Sequence, residues 1–91
     1  MRFVWDTRKA ESNKRKHGVD FAELQEMFEG AIVTLVDDRF EYPEFRFVSF
    51  GQVGTTVLAV AHTETDEEIR IISARKATRH EQASYFAKIQ S

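Results

Sequence analysis

The chain has no cysteine. That excludes a disulfide framework, a thiol nucleophile and a cysteine-based zinc site, and it fits a reducing compartment. No apolar run reaches the roughly 18 residues of a membrane-spanning helix, and the opening MRFVWDTRK has no signal-peptide core. The expectation is a cytoplasmic protein of bacterial style with no membrane partner. The three histidines, His17, His62 and His80, never pair at i, i+4, and neither HExxH nor His-x-His occurs, so no metal site and no cofactor is expected. GxxxxGK, GxGxxG and GxSxG are missing too, so nucleotide binding and serine hydrolysis have no support. There are no repeats, linkers or low-complexity segments.

The 91 residues suit one domain, 1–91. A chain of this size buries roughly 60–65% of its unfolded surface. A hydrophobic content of 42%, with eight Phe, two Tyr and one Trp, supplies a core and argues against disorder. The net charge of −2 is unevenly spread. Residues 1–18 carry a balance of +4, residues 19–68 of −10 and residues 69–91 of +4. Two basic ends flank an acidic middle. Brought together by the fold they would form one cationic patch, and local patches attract phosphate. Left apart they are ordinary solvated faces.

Phe3–Trp5 reads as a short strand or apolar anchor. Asp6 is placed to cap a helix from Thr7 to about Lys16, closed by His17-Gly18. Ala10 is its only hydrophobic residue, the pattern of an exposed or contact-making helix. Asp20-Phe21-Ala22-Glu23 opens a second helix, with Phe21, Leu24 and Phe28 facing inward. Strands follow at Ala31–Val36, Glu44–Phe50, Thr55–Thr63 and Glu68–Ala74. Asp37-Asp38-Arg39 reads as a turn, Gly51–Gly54 as a flexible loop and Glu64–Glu67 as a tight connection. Thr78 and Glu81 form a capping box for a last helix ending near Ile89. This predicts ααββββα: a small twisted antiparallel sheet of about four strands, two N-terminal helices and one C-terminal helix, α+β by order of elements.

Strict alternation along the last strand puts Ile69, Ile71, Ser73 and Arg75 on one face and Arg70, Ile72 and Ala74 on the other. Arg75, at the strand exit, suits bidentate phosphate binding or an ion pair with Glu81. Ala77, Glu81 and Tyr85 share one helix face. Glu81 is either a capping glutamate or a base, and Tyr85 either a core residue or a proton relay. Arg46 lies between Phe45 and Phe47. Those rings are expected to enter the core, which turns Arg46 to the second sheet face, lining a cleft or reaching solvent. Trp5, Lys9, Asn13 and Lys16–His17 form one stripe of the first helix, suited to stacking and phosphate contact or simply to solvent. His62 reads as a structural histidine and His80 as an exposed one.

Three segments resemble a known family. WDTRKAESNKRKHGVDF is similar to the opening of BrnT-type toxins, EFRFVSFG to their E-x-R strand, and IRIISARKATRHEQASY to their I-R-I-I-S-A-R-x-A-x-x-x-E-x-x-x-Y signature. The matches come in family order and cover nearly the whole chain. The resemblance implies a RelE-like fold and a toxin of a type II toxin–antitoxin pair that cleaves RNA without a metal. It implies a BrnA-like antitoxin partner with a ribbon-helix-helix DNA-binding part, and contact with DNA only through that partner. The matching positions are Lys9, Asn13, Lys16, His17, Arg46, Arg70, Arg75, Glu81 and Tyr85. Residues and resemblance together give an expectation of endoribonuclease chemistry. Arg46, Arg75, Glu81 and Tyr85 are the catalytic candidates. Lys9, Asn13, Lys16, His17 and Arg70 are the substrate-binding ones. The acidic middle departs from the basic surface common among such nucleases. The competing expectation is a non-catalytic RNA- or protein-binding module that acts as a co-repressor with a DNA-binding partner.

Overall fold

A computed structural model describes all residues, Met1–Ser91. The chain runs β1 (Arg2–Val4), α1 (Thr7–His17), a 3-10 turn (Phe21–Glu23), α2 (Leu24–Glu29) and β2 (Val33–Val36). It continues through β3 (Phe47–Val53), β4 (Thr56–Glu64), β5 (Glu68–Lys76) and α3 (Arg79–Ile89). The class is α+β, with three helices on one five-stranded sheet ordered β1-β5-β4-β3-β2. Two expectations are corrected here. There are five strands rather than about four, and the sheet is mixed. β1 pairs in parallel with β5, Phe3 opposite Ile69, while β2 to β5 form the expected antiparallel meander. Three residues are too few to announce their partner in a sequence. Packing of Phe3 on the core selects it.

The helix ends follow local chemistry. Asp6 Oδ1 accepts the N–H groups of Arg8 and Lys9, and Gly18 closes α1 at φ 71°, the left-handed region that favours glycine. Asp20 caps the 3-10 turn through the Ala22 N–H. Thr78 and Glu81 complete a reciprocal capping box on α3.

α1 and α2 cover one face of the sheet, the inner face. Val19, Phe21, Leu24 and Met27 pack there on Leu58, Val60, Ile69, Ile71 and Ala74. α3 covers part of the outer face, where Tyr85 and Ala77 meet Val57 beside Val33 and Phe50. Gly51 is a β3 residue, not the start of a loop. A Cβ there would stand 2.7 Å from Met27 Cγ, so glycine is what lets α2 lie close on β3. The turn is confined to Gly54-Thr55, between the paired residues Val53 and Thr56.

β5 does not alternate strictly. Ala61 pairs with Ser73, but the next residue, His62, pairs with Ile71, which leaves Ile72 as an extra residue in a β-bulge. Ile69, Ile71 and Ala74 therefore all enter the inner core. Ser73, Arg75 and Arg70 face the outer side. The expected division of this strand is corrected by that one residue. Phe45 is corrected as well. It precedes β3 and is 77% exposed, whereas Phe47 stacks on His62.

Candidate functional site

Cross-strand register places two rows on the outer face: Val33, Phe50, Ala59 and Arg75, then Leu35, Val48, Ala61 and Ser73. α3 packs beside the first row. In the second row Leu35 is exposed and Val48, Ala61 and Ser73 are half-buried, so the sheet surface lies open. Arginines surround it. Arg75 closes the first row. Arg70 precedes the bulge, paired with Thr63. Arg46 stands beyond Val48, its carbonyl accepting the Asp37 N–H at 2.8 Å. Arg39 reaches over Asp37, Nε to Oδ1 at 2.8 Å and Nη2 to Oδ2 at 3.0 Å.

Arg75 is fixed from one side. Nη1 donates to Glu81 Oε1 at 2.7 Å and Nη2 to Glu81 Oε2 at 3.0 Å; Nη1 also meets the Lys76 carbonyl at 3.3 Å. That uses three N–H groups of the five that a guanidinium has. Nε–H and the second Nη2–H remain as one fork, the geometry that grips a phosphate. The Glu81 hydrogen bonds raise the pKa of Arg75, and the Arg39 cation works against them. Glu81 is held at about 2, by Arg75 first and by the Thr78 N–H.

Glu81 thus holds Arg75 through both carboxylate oxygens while it caps α3. Tyr85 is tied down as well. It is buried, and its hydroxyl donates to the Ala31 carbonyl at 2.7 Å, which ties α3 to the segment before β2. Arg46 does line a cleft. Its guanidinium carbon lies 4.0 Å from the centre of the Tyr42 ring and its Nε is 3.8 Å from Glu44 Oε1. That Nε is buried without a hydrogen-bond partner. A groove of about 190 Å³ between α3 and the sheet, lined by Val33, Leu35, Phe50, His80, Glu81 and Ser84, adjoins the Arg75–Glu81 pair.

The N-terminal candidates lie on α1, which meets β5 at Ala74, the residue before Arg75. Asn13 is buried and binds backbone: Oδ1 accepts the Ala74 N–H at 3.1 Å, while Nδ2 donates to the Ala74 carbonyl at 2.8 Å and the Val19 carbonyl at 3.3 Å. It pairs with β5 where β1 has ended, and so closes that strand edge. Lys9, Lys16 and His17 share that helix, which packs on the inner core through Ala10. Neither Lys9 nor Lys16 lines the groove beside Arg75. Arg46, Arg70 and Arg75 do share a face, and Arg39 joins them there. The buried Asp37 opposite Arg46 is the pairing that brings Arg39 to that face, and a D-D-R sequence, which reads only as a turn, does not reveal it.

No group of three or more His, Cys, Asp or Glu side chains converges to hold a metal ion, and no helix is long and apolar enough to cross a membrane. No curated protein matches the chain. A family model does: "Ribonuclease toxin, BrnT, of type II toxin-antitoxin system" matches residues 5–81. The match runs from the residue before the Asp6 cap to the Glu81 that holds Arg75, and the chain belongs to the BrnT family of ribonuclease toxins.

Proposed function

We propose that the chain is itself an endoribonuclease, independent of metal, whose working surface is the arginine-lined outer face. The observation that carries this reading is Arg75, held by Glu81 on two nitrogens and left with one free N–H fork. In the proposed reaction the RNA 2′-oxygen attacks the adjacent phosphorus and the bond to the 5′-oxygen breaks. The 2′ proton is lost, the 5′-oxygen gains one, and a 2′,3′-cyclic phosphate and a 5′-OH result. Arg75 and Arg46 neutralise charge building on the phosphate oxygens, the kind of preorganised electrostatics that dominates such chemistry. Arg70 and Arg39 add to the field that draws RNA to the face. A RelE-like character belongs to the same proposal, as do action within the cytoplasm and inhibition by a BrnA-like antitoxin that alone touches DNA.

The test is cleavage of an end-labelled RNA by purified protein in excess EDTA. Cleavage leaving a 5′-OH is expected. Activity that disappears with EDTA and returns with magnesium overturns the chemistry.

A second reading has one observation in its favour. Glu81 and Tyr85 are both engaged in structural bonds, so neither is free to move a proton. In that reading the face binds RNA or a protein without cutting, and the chain acts as a co-repressor. RNA that is bound but left intact in the same assay selects it.

A further inference from the structure

Five of the eight exposed large hydrophobic side chains fall in one short stretch: Ile32, Leu35, Val36, Phe40 and Phe45. The stretch comprises Ile32, then β2, the outermost strand, and the loop after it. Val36 is 56% exposed and Phe40 67%. Register tells where the β2 backbone points. Asp37 N–H donates to the Arg46 carbonyl, so this is a hydrogen-bonded pair, and alternation makes Leu35–Val48 and Val33–Phe50 the same kind. The N–H and C=O groups of Thr34 and Val36 then point away from β3, toward the open edge. β2 has no lysine, proline or bulge to protect it. The opposite side of the sheet is closed by β1 and by Asn13.

We propose that this edge receives an extended segment of the antitoxin, which adds as a further strand beside β2. The proposal rests on the toxin–antitoxin reading above. Charge selects the occupant. Residues 37–46 hold Asp37, Asp38, Glu41 and Glu44 against Arg39 and Arg46. The ion pairs leave Asp38 and Glu41 without a cation. A second copy paired through its own β2 would set these acids near their images, which is repulsive. A segment with alternating apolar residues and flanking Lys or Arg fits both the exposed side chains and the unpaired acids. Its outer-face side chains would lie beside Leu35 and over the groove that adjoins Glu81. Docking and blockage of the arginine face are then one event.

The test uses the chain co-expressed with the antitoxin encoded beside it. Amide exchange at Thr34 and Val36 should slow by about 100-fold or more in the complex, while Val33 and Leu35, already in the β3 ladder, change little. Val36→Pro removes an outward donor and spares that ladder, a position where proline is tolerated. It should weaken antitoxin binding by about tenfold or more and leave RNA binding by the free chain unchanged. Asp38→Lys with Glu41→Lys should weaken the complex and reduce its sensitivity to salt. Unaltered exchange at Thr34 and Val36 in a complex that forms and inhibits overturns the edge pairing and leaves the toxin reading standing. Failure of the unmodified chain to bind the antitoxin overturns both. A homodimer dissolved by Val36→Pro assigns the edge to a second copy and overturns the proposal.

Discussion

The two faces of the sheet treat polar groups in opposite ways. On the inner face they are buried and mostly matched. Asn13 satisfies both backbone groups of Ala74, and His62 shares its Nε2 with Ser49, which reaches Thr34 in turn. On the outer face cations are over-supplied. Asp37 and Glu81 each hold one arginine, Glu44 stands near a third, and donors remain on Arg46 and Arg75. The lesson is that surplus, not charge alone, distinguishes the face proposed to meet RNA. The inner face has spent its hydrogen bonds on the fold, His62 Nδ1 excepted, and the outer face keeps an N–H fork on Arg75.

The sharpest way to break this contrast is Arg75→Ala. Activity should fall roughly 10²–10³-fold, the scale seen when one oxyanion donor is removed, with the fold retained. Arg75→Lys should recover little, because the fork is gone. Full activity in a folded Arg75→Ala protein would reduce the pair with Glu81 to an ordinary ion pair.

His62 tests the inner face by pH. It is completely buried, and burial lowers its pKa to about 4. The unfolded chain takes up a proton near the ordinary histidine value of 6.5 while the folded one stays neutral, so the unfolded state binds more protons in that window. Stability should therefore decline as pH falls from about 6.5 to about 4, by on the order of 1.4 kcal/mol per unit at most. Glu81, lowered to about 2, extends the decline below 4.5 in the same direction. Glu64 Oε1, 3.4 Å from Nδ1, is the acid that faces the ring. Denaturation of His62→Gln should show a flatter profile over the upper window. An unchanged profile would mean that His62 does not set it.

Asn13→Ala should lower stability by about 1–3 kcal/mol, since it strips partners from a buried N–H and C=O. RNA affinity of the folded fraction should not change. A selective loss of affinity at full stability would return Asn13 to the substrate. Glu81→Gln keeps a capping-box side chain but weakens the grip on Arg75. We expect about a tenfold fall in kcat (about 1.4 kcal/mol) with no shift in the pH–rate profile. The disappearance of an acidic limb from that profile would show a base after all.

The smallest expected effect separates the two basic ends. For RNA binding by an inactive variant, removing one cation that neutralises a phosphate should flatten the plot of log K against log salt by about 0.7. Arg46→Ala and Arg70→Ala should each do so. Lys9→Ala with Lys16→Ala should leave the slope nearly unchanged, because neither lysine lines the grooves beside Arg75 and Arg46. A large change from the lysines would restore the single-patch idea.

What is legible in the sequence is local. Asp6, Gly18 and the Thr78–Glu81 box act within a few residues, and their helices begin or end where those residues dictate. The meander of β2 to β5 is legible from short connections. The hidden features depend on distant partners. The pairing of β1 rests on Phe3 reaching the core, the need for Gly51 on Met27, and the role of Asn13 on a strand edge sixty-one residues away. Of the site, Arg46, Arg70 and Arg75 stand out as residue types, but not as neighbours on one face. Arg39 is invisible because its partner Asp37 looks like a turn residue.

The extra residue in β5 has a consequence for chain-length changes. It works as a parity switch, so that the strand has one inside–outside code before Ile72 and the reverse code after it. Deleting Ile72 would close the bulge without moving a neighbour to the other face: Ser73 would follow Ile71 in plain alternation, and Ala74 and Arg75 would keep Val60 and Ala59 as partners. A point substitution at Arg75 removes one fork, whereas loss of the extra residue would leave that fork on its own side of the sheet. The family's closing signature therefore contains one position whose presence the inside–outside code does not need.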